Sequence, residues 1–159
     1  MKFRVGNGFD VHAFQDGREL WLGGVKIEGH RGLSGHSDAD VLIHAVIDSL
    51  LGAAGIGDIG ELFPDSDPAY KGISSIKLLE QTVKRLSSDG WVIENVDTTV
   101  ICETPKISKF KAEMRKVLSG TMNIPEDCIM IKGKTTEKLG FTGRGEGIAA
   151  MSSALLSRR

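Results

Sequence analysis

The sequence predicts a two-layer α+β fold, a mixed β-sheet with its helices packed on one face in a ferredoxin-like order. Three observations lead there. Segments rich in β-branched or alternating residues are interleaved with segments of helical apolar periodicity. The second half holds one clear strand, helix, strand succession. A length of 159 residues is one domain's worth, long enough for a real core. Residues 1–159 therefore read as a single domain, without repeats, low-complexity tracts or linkers.

Taken in order, residues 3–9 and 20–28 (LWLGGVKIE) read as strands, joined by the turn-rich QDGRE as a hairpin connection. The stretch GFDVHAF, read as strand, puts Phe9, Val11 and Ala13 on one face and Asp10 and His12 on the other. Ser37, with Asp40 three residues on, resembles a capping box and opens a helix over about 38–52, stopped near Gly52. Ile76, Leu79, Val83 and Leu86 mark a second helix that ends at Gly90. WVIENVDTTVICE reads as a long strand, and SKFKAEMRKVL aligns Phe110, Met114 and Val117 on a third helix. CIMIKGK and GIAAMSSALLS complete the strands. Loops 58–72 and 134–146 are rich in Gly, Asp and Thr, the setting in which a scaffold usually carries its sites.

Composition narrows the partners. With 20 basic and 21 acidic residues mixed along the chain, neither nucleic acid nor a membrane surface is indicated. Cys102 and Cys128 stand far apart and outside any CxxC spacing, so a thiolate zinc site or a redox pair is not suggested and a reducing compartment is the default. The N-terminus lacks the apolar core of a signal peptide, and no apolar run approaches the roughly 20 residues of a membrane helix. The expectation is a soluble, cytoplasmic protein.

The first helix is apolar almost all round, except that Ser37, Asp40, His44 and Asp48 fall on one line three or four residues apart. A narrow polar stripe on a buried helix is costly unless its groups are paired or bind something. His44 is thus a candidate partner for Asp10 and His12. Two imidazoles and a carboxylate suit a zinc ion with its fourth position open, and Asp48, one turn on, is placed to hold a ring N–H behind it. The alternatives at this point are a solvated strand end and a hydrogen-bonded core histidine. HSDAD, residues 36–40, brings a histidine and a hydroxyl to a helix start, as an anion site or as a plain cap. GKTTEKLGFTGRGEG sets Lys134, Thr135, Thr136 and Arg144 beside Glu137, a set suited to diphosphate oxygens and one magnesium ion. Its glycines match neither a Walker loop nor a Rossmann turn. GDIGELFPDSDP, residues 57–68, reads by default as a solvated acidic loop.

GFDVHAF, HSDADVLIHAVIDSLLGAAGIGDIGELFPDSDP and TTEKLGFTGRGEGIA closely resemble the signatures of the 2-C-methyl-D-erythritol 2,4-cyclodiphosphate synthases, from residue 6 to about 155. The resemblance implies an α+β homotrimer with active sites between adjacent subunits, acting in non-mevalonate isoprenoid precursor synthesis on a small cytidine diphosphate substrate. It implies zinc on Asp10, His12 and His44, one ion per subunit, and magnesium or manganese on Glu137 with the diphosphate. His36 and Thr135 take catalytic positions by that resemblance. His36 and Ser37 correspond to positions near the erythritol phosphate, Asp58 and Gly60 to those that bind its hydroxyls, and Phe63 and Asp65 to further substrate positions. Cys102, Pro105, Lys106 and Ile107, with Lys134, Thr135, Thr136 and Glu137, correspond to the cytidine side, and Phe141 and Arg144 to further ligand contacts. Lys134 departs from a common family form, which has threonine there. A zinc phosphoesterase and a non-catalytic binding protein for isoprenoid diphosphates are the rival readings.

Overall fold

The computed structural model describes residues 1–158. Strand β1 spans Lys2–Gln15, β2 Leu20–Leu22, β3 Val25–Ile27 and β4 Gly32–Leu33. Helix α1 spans Val41–Ala54, the short α2 Ile59–Leu62 and α3 Ser75–Ser88. Then come β5 (Val92–Ile101), α4 (Lys111–Met122), β6 (Ile129–Lys134), the short α5 (Gly140–Gly143) and β7 (Gly147–Arg158).

Five strands form one mixed sheet in the order β4-β1-β7-β5-β6, while β2 and β3 pair only with each other. The expected α+β class and mixed sheet are present; the ferredoxin-like order is kept in one half only. β7 runs antiparallel between β1 and β5, so β1 and β5 are parallel and split by a central strand, as that order requires. In the other half α4 intervenes between β5 and β6, the strand, helix, strand succession read from the sequence, and carries the chain back to the same end, so that pair is parallel where a ferredoxin-like order has a hairpin. Nor do β1 and β2 form the hairpin that QDGRE suggests: β1 pairs with β4 and β7, and the tight turn at Gly23 and Gly24 folds β2 onto β3 instead.

The first helix starts and stops later than its sequence signals suggest. Asp40 is the N-cap, its carboxylate accepting from Ile43 N at 3.1 Å. The same buried carboxylate accepts from Gly23 N at 2.9 Å and Gly24 N at 2.7 Å, tying the β2–β3 turn to the helix start. Burial, reinforced by the nearby charge of Asp38, raises its pKa. Ser37 does not cap the helix; its hydroxyl accepts from Ala39 N in the turn before it. Gly52 lies within the helix, and Gly55, in the left-handed conformation at φ 72°, ends it.

Helix α1 packs on β1 and β7, α4 packs against β6, and α3 covers both helices. Because α1 meets the sheet on one side and α3 on the other, its apolar residues are buried nearly all round. Two glycines set how close it comes. A Cβ on Gly8 would stand 2.0 Å from the carbonyl oxygen of Ala45, and one on Gly6 2.0 Å from that of Ser49. Gly6 and Gly8 thus form a notch on the strand in which the helix backbone rides, locked further on by a buried hydrogen bond between Ser49 and Ser152.

Among the described residues, no layer lies over the opposite face of the sheet. Phe3, Val5, Phe9 and Val11 of β1 are exposed there, and Met151 of β7 lies opposite Phe9. Among the described residues, no helix is long and apolar enough to cross a membrane.

Candidate active site

The glycine notch builds the site. Two and four residues beyond Gly8, Asp10 and His12 point to the same side of β1 as the notch, and His44 stands next to Ala45 on the helix seated there. His12 Nε2 lies 2.9 Å from Asp10 Oδ2. His44 Nδ1 lies 3.1 Å from that oxygen and 3.1 Å from His12 Nε2. Tetrahedral ligands about 2.0 Å from zinc stand about 3.3 Å from one another, so this triangle fits such an ion with a small opening of the ring. Two imidazoles and one carboxylate leave a fourth position for an exogenous ligand.

The lone pairs are aimed by what lies behind them. His12 Nδ1 donates to the Ser34 carbonyl at 2.5 Å, which leaves Nε2 free to face the triangle. Burial opposes ionisation of Asp10, but hydrogen bonds to His12 and His44, and their charges, hold its carboxyl well below the usual range. Burial likewise opposes a charge on His12, yet the hydrogen bond and charge of Asp10 outweigh it and raise the imidazole pKa.

Asp48 does not hold the ring N–H of His44. Helical side chains lean toward the N-terminus, so His44 reaches back over the turn before it and away from residue 48. Its Nε2 meets Ser37 Oγ at 3.1 Å and Ser75 Oγ at 3.0 Å. Asp48 accepts from Ile59 N at 2.8 Å and fixes the start of α2; burial raises its pKa.

The triad opens onto a cleft of about 280 Å³ lined also by His36, Ser37, Gly60, Phe63 and Asp65. Asp58 is absent from the lining and caps α2, accepting from Glu61 N at 2.9 Å. The acidic loop closes over the cleft: Gly72 N donates to the His36 carbonyl, and Phe63 stacks edge-on against Tyr70. The Nε2 of His36 is buried without a hydrogen-bond partner, a group that a bound anion would satisfy.

A second pocket, of about 190 Å³, gathers Cys102, Pro105, Lys106, Ile107, Lys134 and Thr135 with Glu103 and Lys111. Burial, then the charge of Glu103, pushes the Cys102 thiol up to about 11, so it stays protonated near neutrality. Thr136 lies outside the pocket and pins its loop by bonds to the Leu139 carbonyl and Thr142. Glu137 is exposed, and both it and Lys138 adopt positive φ, 54° and 64°, a strained choice for such residues that clusters at functional loops. Phe141 is largely exposed, and Arg144 forms a fork with Glu146 at 2.9 and 3.3 Å.

The two pockets share no lining residue. Between β1 and β6 stand β7 and β5, three spacings or about 14 Å at strand level. Sequence reasoning missed Arg18, whose guanidinium donates to the Gly35 and Ser37 carbonyls at 2.6 and 2.5 Å. It missed Asp38 and Ser75 as well. Arg18 looked like part of a turn and Ser75 like a helix start, and only the fold brings them to the site.

Fold and site together define a mixed-sheet α+β protein with a metal-binding centre of two histidines and an aspartate. A family model described as the YgbB family matches residues 3–157. The chain belongs to that family. It is 56% identical over 156 residues to the 2-C-methyl-D-erythritol 2,4-cyclodiphosphate synthase of an Azoarcus species, covering 98% of this chain and 96% of that one. It is 58% identical over 153 residues to the bifunctional enzyme IspD/IspF of a Nitratiruptor species, covering 96% of this chain but only 41% of that relative's length. The CDP complex of IspF from Plasmodium falciparum is similar in structure, with a TM-score of 0.85, 37% identity, and coverage of 99% and 97% of the two chains.

Proposed function

We propose that the chain converts 4-diphosphocytidyl-2-C-methyl-D-erythritol 2-phosphate to 2-C-methyl-D-erythritol 2,4-cyclodiphosphate and CMP. An oxygen of the 2-phosphate forms a bond to the β-phosphorus. The bond from the β-phosphorus to the bridging oxygen breaks, and CMP leaves with that oxygen and the electron pair. The observation that carries this reading is the convergence of Asp10 Oδ2, His12 Nε2 and His44 Nδ1 within 3.1 Å of one another in a cleft of sugar-phosphate size.

The obstacle is charge. Two unit anionic charges brought to 4 Å repel by about 4 kcal/mol at an effective dielectric constant near 20. Zinc held by Asp10, His12 and His44, and magnesium or manganese held by Glu137 with the diphosphate, supply the neutralisation and Lewis acidity that this demands. The chain's own residues do the positioning. His36, through its unpartnered Nε2, and Thr135, in the second pocket, donate hydrogen bonds to the developing charge, each worth about 3 kcal/mol by comparison with oxyanion donors. Gly60, Phe63 and Asp65 hold the erythritol under the loop, with Asp58 and Ser37 beside them. Cys102, Pro105, Lys106, Ile107 and Lys134 receive the cytidine. Thr136 shapes the loop that presents Glu137, and Phe141 and Arg144 flank it. No protein nucleophile is needed.

A complete site joins the cleft of one subunit to the second pocket of its neighbour in a homotrimer. The support is the separation of the two pockets and the bare apolar face of the sheet, a surface of the kind that marks an interface. Localisation in the cytoplasm fits the same reading. Phosphorus NMR of the substrate with protein, zinc and magnesium tests the chemistry: cyclic diphosphate with CMP is expected, and a linear monophosphate product indicates a phosphoesterase instead.

A further inference from the structure

We infer that Asp38 and Ser75 form a relay that fixes which nitrogen of His44 carries its proton, and so aims the Nδ1 lone pair at the metal position. The inference rests on the metal-site reading above and concerns residues to which that reading assigns no role. His44 Nδ1 faces Asp10 and His12, and its Nε2 faces Ser75 Oγ at 3.0 Å. A ligand at Nδ1 requires the proton at Nε2. A hydroxyl alone does not enforce this, because it either donates or accepts.

Asp38 removes the choice. Its Oδ1 lies 2.5 Å from Ser75 Oγ. An ionised carboxylate only accepts, so the Ser75 proton points to Asp38 and the serine lone pair is left for His44 Nε2–H. Ser75 is fully buried, so water does not take its place. The other oxygen of Asp38 accepts from Ser75 N at 3.0 Å, which holds the hydroxyl in position at the start of α3. Ser37 Oγ also touches Nε2, accepts from Ala39 N and lies 3.5 Å from Ser75 Oγ, but no carboxylate orients its proton, so by itself it selects neither form of the ring. The chain of contacts is thus carboxylate, hydroxyl, imidazole, metal, one link longer than the usual carboxylate behind a metal-bound histidine. Asp38 and Ser75 are positioning residues.

The test uses the whole chain, zinc alone as the probe, and two variants. Ser75→Ala removes the acceptor. Asp38→Asn keeps the shape but leaves one accepting oxygen for the three donors that the carboxylate serves, the Ser75 hydroxyl and the amides of Ser75 and Asp40, so the serine proton is no longer held away from His44 and the Nδ1–H form is admitted. Chelator competition should show each variant binding zinc roughly 10 to 100-fold more weakly. The double variant should be no weaker than the weaker single one, because one chain of bonds is being cut. Nitrogen-15 shifts of His44 in zinc-free protein carrying Asp10→Ala, where no carboxylate draws the proton to Nδ1, should report an Nε2–H ring, and a mixed or Nδ1–H ring once either variant is added, a change that a merely structural role does not produce. Zinc affinity within twofold of wild type in Ser75→Ala, additive losses in the double variant, or a surviving Nε2–H ring in both variants overturns the relay. A wild type that binds no zinc instead overturns the metal-site reading, and the tautomer measurement still decides the relay.

Discussion

At the scale of single residues, the site rests on three side chains whose protons compete with the metal. Asp10 is depressed below its ordinary 3.8, so its share of zinc-free stability is present above that value and lost as pH falls through the folded one. His12 is raised above its ordinary 6.5, so its share is present below that value and lost as pH rises through the folded one. The Asp10–His12 pair should therefore stabilise zinc-free protein most between those two values. Zinc needs a neutral His12, so the rise in melting temperature that it produces should grow as pH rises above 6.5 and through the folded value of His12; scanning calorimetry with and without chelator checks both signs. Asp48→Asn should leave zinc affinity within about threefold, well short of the loss for a partner of a metal ligand, while hydrogen exchange at the Ile59 amide accelerates. Asp10, His12 and His44 were legible because strand alternation and helical spacing each put polar groups where apolar ones belong. The error at Asp48 came from reading spacing without side-chain direction. Asp38, Ser75 and Arg18 were illegible, because their meaning lies in contacts between distant segments.

Elements explain why those residues meet. The alternating glycines of VGNGFDVH look like weakness in a strand, since glycine packs nothing and costs backbone entropy. In the fold they let α1 sit on β1 and so bring His44 to Asp10 and His12. Gly8→Ala should force the helix away from the strand, destabilising the protein by about 3 kcal/mol, at the upper end of overpacking costs. Zinc affinity should fall as well, because the ligands separate; urea denaturation and chelator competition measure the two effects. The periodic cores of α3, α4, β5, β6 and β7 were readable in place. The start of α1 was not, because Ser37 and Asp40 both satisfy the capping rule and only the turn at Gly23 and Gly24 selects Asp40. β1 extends well past Phe9, through the polar residues of the site, and its true partner β7 lies at the other end of the chain.

For the whole molecule, assembly turns on the face of the sheet that no helix among the described residues covers. An antiparallel sheet can leave one face to water, but that face is then polar, whereas here β1 presents Phe3, Val5, Phe9 and Val11. Wild type should sediment as a trimer, and Val5→Asp, well removed from the metal ligands, as a monomer without turnover; sedimentation velocity reads the mass. The strand order was beyond the sequence, since pairing between distant strands leaves no local pattern, whereas the parallel β5–β6 pair follows from the strand, helix, strand succession of the second half. The division into a zinc side and a cytidine side was implied by the family resemblance; the fold adds their separation, with Asp10 and His12 on β1, Thr135 just past the end of β6, and β7 and β5 between. The central claim is that one reaction centre is assembled from the zinc side of one subunit and the nucleotide side of the next. Its most direct test is complementation between His44→Ala and Glu137→Ala, each nearly inactive alone. When the two are unfolded together and refolded in equal amounts, about one site in four should combine an intact zinc side with an intact nucleotide side. Activity rising toward roughly a quarter of wild type is the predicted result; verified mixed trimers as inactive as their parents would contradict it.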